Sequence, residues 1–389
     1  MLVFEWQPAV QLPHRMSSPS TSSPWYLVAN ESEIPSPALL IFRERMDENI
    51  RRMLRIAGGP ERLWPHVKTH KLGPIVEAHL REGITRFKCA TIAEAEMTAQ
   101  AGAKEALLAM QPVGPSVERL LALQRHFPGT IFSTVADSKE AILALGNAAL
   151  AAGFEIPVFL DLDCGMGRTG IVPGDAAIEL YRLMASTRGL RAAGLHAYDG
   201  QIHGADLETR RQQCEAAFEG VVKLRTQLLE LGLPVPRLVA GGTPTFAIHA
   251  SHPDRDLSPG TCVLWDFGYG DKFPDLPFEP AAVLLCRIVS KPAVNRLCLD
   301  LGHKAVAAEN PPPRVRFLEL PDASPVLHSE EHLVIETSRA HEFHVGQCLH
   351  GIPRHICPTV ALQSEAWPVE GGKAGPPWPI LARARRITI

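Results

Sequence analysis

The chain has 389 residues, 46 % hydrophobic and 21 % charged, so a packed core is feasible and global disorder is excluded. Lys plus Arg number 39 against 42 Asp plus Glu, and a net charge of −3 offers no basic field to nucleic acid or to an anionic membrane. Histidine is the outlier at 16, several in tight clusters, which leans towards chemistry because imidazole titrates near neutrality and binds metals.

Met1–Pro24 lacks a charged region followed by an apolar core, so no secretory signal is expected. Residues 1–33, with the Ser/Pro-rich stretch Ser17–Pro24, read as a flexible extension. Ala38–Phe42 reads as a strand that joins a β domain, and a helix follows from Met46 to about Ala57. Eight further strand-like runs then alternate with helical stretches: Leu63–Val67, Arg86–Ala90, Ala106–Met110, Thr130–Val135, Val158–Asp163, Gly194–Tyr198, Arg237–Ala240 and Cys262–Trp265. They are continuous apolar runs, as parallel strands covered on both faces require. Thr91-Ile-Ala-Glu94 is a capping box, and Ser138 and Asp206 are N-cap candidates. This rhythm over residues 34–268 predicts an α/β fold, a (β/α)8 TIM-type barrel. An open doubly wound sheet is the alternative, weakened because no GxGxxG follows the first strand.

From about residue 269 to 389 the pattern becomes a β-rich C-terminal domain. Its expected strands are Ala281–Val289, Arg296–Leu301, Val315–Leu318, Leu333–Glu336, Thr359–Leu362 and Ile380–Ile389, with no helix between them. The eight cysteines are scattered without disulfide-framework spacing, and no apolar run reaches membrane length. Reduced thiols and a cytoplasmic setting are therefore expected.

Trp64-Pro-His-Val-Lys-Thr-His-Lys71 falls at the C-terminal end of the first barrel strand, where barrel active sites collect. A lysine there can form a Schiff base if burial and cationic neighbours (His66, His70, Lys71) lower its pKa. Asp163-Cys-Gly-Met-Gly-Arg-Thr-Gly170 presents Arg168, a planar fork for a carboxylate or phenolate. His196, Tyr198, Gln201 and His203, at another strand end, are groups able to line a ring-shaped cofactor. Gly241, Gly242 and Thr243 after the seventh strand, with Gly260 and Thr261 in a Ser-Pro-Gly-Thr segment expected to precede the last strand, suggest a phosphate cradle. A lysine on strand one beside a cradle on strands seven and eight is the geometry that pyridoxal 5'-phosphate requires. In Pro353-Arg-His-Ile-Cys-Pro-Thr359, His355 and Cys357 are two apart, which in extended chain puts both on one face as a metal pair. Imidazole plus thiolate suits Zn²⁺, the sulfur disfavours Mn²⁺, and two protein ligands leave catalytic positions open.

At these residues the chain resembles the D-threonine aldolase / D-serine dehydratase family, the alanine-racemase-like, fold type III pyridoxal-phosphate enzymes. The resemblance runs from about Ile34 to the C-terminus through Pro-His-Val-Lys-Thr-His-Lys, Gly-Met-Gly-Arg-Thr-Gly, Gly-Gly-Thr-Pro, Ser-Pro-Gly-Thr, Ser329-Glu-Glu-His332 and Pro-Arg-His-Ile-Cys-Pro-Thr, in the family's order. It implies that Lys68 is the Schiff-base lysine, that Thr243 with Gly241 and Gly242 is the phosphate loop, and that His355 and Cys357 hold a divalent metal, Zn²⁺, Mn²⁺ or Mg²⁺. It implies a small-molecule D-β-hydroxy-α-amino acid as substrate and a homodimer as assembly. The expected reaction is retro-aldol cleavage of D-threonine to glycine and acetaldehyde, with His70 as the base and water at the metal as its alternative. Cys357 is similar to the dehydratase pattern, whereas the longer C-terminal half is similar to the aldolase branch, and the longer cue weighs more. A Zn²⁺-dependent D-serine/D-threonine dehydratase is the runner-up, followed by a racemase and by a non-catalytic pyridoxal-phosphate-binding protein.

Overall fold

Apolar runs with no polar face must be covered on both sides, and here they form the strands of a closed barrel. In the computed structural model, which describes residues 24–389, seven strands lie in chain order in one parallel sheet. They are Arg86–Cys89, Glu105–Leu108, Ile131–Ala136, Ile156–Leu162, Leu190–Ala197, Arg237–Ala240 and Asp256–Leu257. The segment from Leu63 to His66 takes the eighth place: Leu63 bridges Leu257 and His66 bridges Lys88, both in parallel. The sheet thereby closes on itself, with helices outside it.

Two barrel strands differ from expectation. Leu63–Val67 makes single bridges only, because Pro65 lacks a ladder donor and the chain turns into a 3-10 helix at Val67–Thr69. Cys262–Trp265 is not the last strand; Thr261–Val263 is a 3-10 turn, and the last strand is Asp256–Leu257. Ser258-Pro-Gly-Thr261 therefore follows that strand. The Cys262–Trp265 run owes its apolar character to packing under the helix Arg43–Ala57, where Asn49 Nδ2 donates to Val263 O at 3.3 Å.

The helix starts expected at Thr91 and Asp206 carry side-chain caps. Thr91 Oγ1 accepts from Glu94 N at 3.1 Å at the head of Ile92–Gln100, and Asp206 Oδ1 accepts from Thr209 N at 2.8 Å at the head of Leu207–Glu230. The capping box is only half formed, since the Glu94 carboxylate turns to Ala90 N and Lys71 instead of back to Thr91.

Inside the barrel, Trp64, Leu107, Val135, Phe159, Ala193 and Val239 pack as one apolar layer. Next along the strands comes a buried polar layer of His66, Lys88, Asp161, His196 and Ser258. Burying polar groups is unfavourable without partners, so this layer marks where packing yields to chemistry.

The second sheet has ten strands. Ala38–Phe42 lies at its centre, antiparallel to Ala282–Ala293 and parallel to Glu365–Glu370. Ser324–His328, Cys348–Pro353 and Glu365–Glu370 are strands the sequence reading passes over. Thr359–Leu362, expected as a strand, belongs to the helix Ile356–Leu362. Ile380–Ile389 is not a strand; the tail lies against the barrel, with Arg119 Nη2 donating to Ile389 O at 2.7 Å. The flexible segment expected over residues 1–33 lies mostly outside the described residues. Its last part is packed: Trp25 meets Phe42 edge-on at 5.0 Å, and Ala29 N donates to Gly372 O at 2.8 Å. Among the described residues no helix is long and apolar enough to cross a membrane, and all eight cysteines are free thiols.

Candidate active site

Lys68 sits in the tight turn Val67–Thr69 at the barrel mouth, half-buried, with His66 Nδ1 accepting from its backbone N at 3.4 Å. The turn closes at Lys71, which adopts φ +55°, a left-handed conformation that costs a non-glycine residue about 1 kcal/mol. Lys71 is held there by an ion pair with Glu94, a fully buried carboxylate that also accepts from Ala90 N at 2.6 Å. Lys71 thus braces the loop, its ammonium committed to Glu94. His70 Nδ1 accepts from Leu72 N at 3.1 Å and its ring stacks on His79 at 6.2 Å. Burial pushes its pKa well down, with His79 and Lys71 adding to the effect. Nothing in these contacts joins His70 to the groups at the mouth.

Those groups converge on Tyr198. Arg168 Cζ lies 4.8 Å from the centre of its ring, Lys88 Nζ 5.4 Å and Lys68 Nζ 5.7 Å, all within cation–π range. Asp163 Oδ1 accepts from Gly165 N at 2.9 Å and Gly167 N at 3.0 Å, folding the glycine turn that presents Arg168. A Cβ on Gly242 would stand 3.0 Å from Tyr198 Cε2, so a side chain there would press on the ring edge. Below the ring, His196 Nδ1 donates to Asp161 Oδ1 at 2.6 Å. Burial, then Lys88, lowers the pKa of His196 against the pull of Asp161. His196 Nε2 is buried with no partner among the described residues, an acceptor waiting for a donor. Gln201 packs on the Arg168 turn, its Nε2 donating to Cys164 O at 2.9 Å. His203 is exposed beyond the cluster and does not join it.

The ends of the last two strands are tied together. Ser258 Oγ donates to Gly241 O at 2.8 Å, and Gly260 N and Thr261 N both donate to Thr243 Oγ1 at 3.1 Å. The loops expected to form a cradle therefore meet, and His66 N donates to Pro259 O at 2.8 Å to hold them beside strand one. The amides of Gly260 and Thr261, expected to face an anion, are given to the Thr243 hydroxyl.

The β domain delivers its His-x-Cys pair to this place. Cys357 Sγ lies 3.3 Å from Thr69 Oγ1 and 3.6 Å from Thr261 Oγ1, between the Lys68 turn and the Ser-Pro-Gly-Thr loop. The chain at 355–357 is not extended: His355 caps the helix Ile356–Leu362, and Cys357 is its second residue. Asp266 fixes the junction by accepting from Ile356 N at 2.9 Å, and a Cβ on Gly268 would stand 2.3 Å from Arg354 O, so only glycine admits this approach. Burial opposes charge on His355, but Cys357, Glu309 and Asp266 outweigh it and raise its pKa to about 9. Against the same burial, His355 pulls the Cys357 thiol below its ordinary range. A thiolate beside an imidazole is the donor set a divalent ion takes, so these residues fit a metal. Glu309 Oε1 meets His355 Nδ1 at 2.5 Å, the outer carboxylate such histidines carry.

Lys88 and Glu309 are functional candidates that the sequence reading passes over. The signal for Lys88 is a lone ammonium inside a strand otherwise buried; Glu309, 46 residues from His355, has none. A further cluster, Asp199, Cys214 and His249, gathers three possible metal ligands. There Arg255 Nη1 donates to His249 Nδ1 at 2.9 Å, so Nε2 carries the proton it gives Asp199 Oδ2 at 2.8 Å. With a guanidinium alongside, this is a hydrogen-bond network and not an ion site.

Residues 41–265 match the family described as alanine racemase, N-terminal domain, and residues 281–369 match a putative serine dehydratase domain. A D-threonine aldolase of Arthrobacter sp is 28 % identical over 90 % of this chain and 93 % of that protein. A 3-hydroxy-D-aspartate aldolase of Paracoccus denitrificans (strain Pd 1222) is 27 % identical over 92 % of this chain and 94 % of that protein. The crystal structure of D-threonine aldolase from Filomicrobium marinum superposes with a TM-score of 0.85 at 27 % identity, covering 90 % of this chain and 96 % of that one. The barrel with its β-rich second domain, the ordered family motifs and these likenesses agree: the chain belongs to the alanine-racemase-like family that includes the D-threonine aldolases and D-serine dehydratases.

Proposed function

We propose that the chain cleaves D-β-hydroxy-α-amino acids by a retro-aldol reaction that depends on pyridoxal phosphate and a divalent metal, taking D-threonine to glycine and acetaldehyde. One observation carries this reading: Cys357 of the β domain lies against Thr69, the residue after Lys68, so the candidate Schiff-base amine and the candidate metal pair share one mouth. Bound pyridoxal phosphate supplies an electron sink, and a divalent ion supplies a Lewis acid for the β-hydroxyl.

The chain's own residues do the rest. Lys68 provides the amine. Arg168 and Tyr198 orient an anionic group and a planar ring at the mouth. His196 keeps its proton on Nδ1 for Asp161, which leaves Nε2 as an acceptor in the polar layer. His355 and Cys357 hold the metal and Glu309 fixes the His355 ring. His70, expected as the base, keeps that part as a proposal, its ring held against His79. Glu309→Gln is expected to weaken Zn²⁺ retention by about 10- to 100-fold, read by competition with a chromophoric chelator. Unchanged retention would remove Glu309 from the metal site.

A dehydratase reading has its own support in the serine dehydratase domain match and in Cys357. Product analysis separates the two. Incubation with D-threonine is expected to yield glycine and acetaldehyde; ammonia and a 2-oxo acid without glycine would replace the aldolase reading by the dehydratase one.

A further inference from the structure

Lys88 lies on the strand Arg86–Cys89, whose other core residues, Phe87 and Cys89, are fully buried apolar side chains. Lys88 itself is 3 % exposed, deeper than Lys68 and facing the same Tyr198 ring. An ammonium carries three donors, and the described residues give this one a single acceptor, Ser258 Oγ, at 3.0 Å. That acceptor is neutral, and its own proton goes to Gly241 O.

No carboxylate among the described residues forms an ion pair with it. Asp161 is committed to His196, and Asp199 to His249 and Thr245. The remaining charges nearby, Lys68 and Arg168, repel it. Burial first, then Lys68, lowers its pKa to about 7, against the pull of Asp161 and Asp199. A barrel core needs no such residue: an apolar side chain of similar length fills the same space without desolvating a charge. An under-satisfied cation beside the Tyr198 ring is what an incoming anion completes.

We propose that Lys88 is a second cofactor lysine, a non-covalent counter-cation that pairs with an anionic oxygen of bound pyridoxal phosphate while Lys68 forms the covalent linkage. The proposal rests on the pyridoxal phosphate reading of the site and assigns a residue that reading does not use.

The test titrates the cofactor-stripped protein with pyridoxine 5'-phosphate, which keeps the ring, phenol and phosphate but has an alcohol where the aldehyde was. It cannot link to Lys68, so calorimetry reads the non-covalent contacts alone. Lys88→Met and Lys88→Gln are each expected to lose about tenfold in affinity or more, and Lys88→Arg to stay within about threefold. The melting temperature of the ligand-free Lys88→Met protein is expected to hold or rise, because a buried charge has gone. A merely structural lysine gives the opposite pair of results: lower melting temperatures with affinity intact in whichever variant folds. That outcome would overturn the proposal. If the unmodified protein takes up neither pyridoxine phosphate nor pyridoxal phosphate, the reading of the whole site falls, and the proposal with it. If it binds both and the variants bind equally well, only the role of Lys88 falls.

Discussion

Changing Lys68 to alanine is expected to lower kcat/KM for D-threonine by roughly 10³-fold or more, since no other group at the mouth replaces a covalent amine. Lys71 cannot substitute, because it is turned away into an ion pair with Glu94. Lys88 is nearer, but it is tied to Ser258 below the Tyr198 ring. The loss should be one of chemistry alone. Lys68 is half-buried, and its side chain makes no hydrogen bond among the described residues, so stability is expected to stay within about 0.5 kcal/mol of the unmodified protein. Steady-state kinetics and a denaturant melt check both halves. Turnover that survives intact would remove Lys68 from the mechanism.

Loss of the metal pair is expected to have the next largest effect. Chelation by EDTA, or Cys357→Ala, should lower turnover by roughly 100-fold, about 3 kcal/mol of Lewis-acid stabilisation of the developing alkoxide. Cys357 lies between two barrel hydroxyls, Thr69 and Thr261, so its loss leaves the barrel's own framework in place. Cofactor absorbance should therefore remain while activity goes, and added Zn²⁺ should restore the chelated protein but not the alanine variant. Cys357→Asp replaces a soft ligand by a hard one and is expected to move the preference towards Mn²⁺. Full activity in the presence of excess EDTA, with the bound metal content shown to be zero, would contradict the metal's part.

The parts of this architecture that were legible in the sequence are those governed by local rules. Continuous apolar runs followed by Gly, Ser or Asp caps located most of the barrel strands and the helix starts at Thr91, Ser138 and Asp206. The last strand escapes local rules because Cys262–Trp265 is apolar for a tertiary reason, its burial beneath the first helix, while the true strand Asp256–Leu257 is two residues long and holds an aspartate. The helix Ile356–Leu362 was misread for a similar reason: Thr359, Val360 and a preceding proline suit a strand, yet Thr359 Oγ1 donates to His355 O at 2.8 Å and accepts from Ala307 N at 3.1 Å, binding the turn to a distant loop. The motif residues Lys68, Arg168 and Tyr198 come together, as do the strand-end loops around Thr243 and Thr261. His203 does not, and His70 is drawn to His79 by packing that sequence spacing does not reveal. Lys88 and Glu309 find their hydrogen-bond partners 170 and 46 residues away, beyond the reach of any local pattern.

Whether Lys68 carries vitamin B6 at the mouth of the barrel, beside the metal pair, is decided by borohydride reduction of the protein reconstituted with pyridoxal phosphate, followed by peptide mass spectrometry. The visible band is expected to disappear on reduction and the phosphopyridoxyl label to sit on Lys68. A label fixed on Lys88, on Lys71 or on no lysine of the barrel mouth would remove Lys68 from that role.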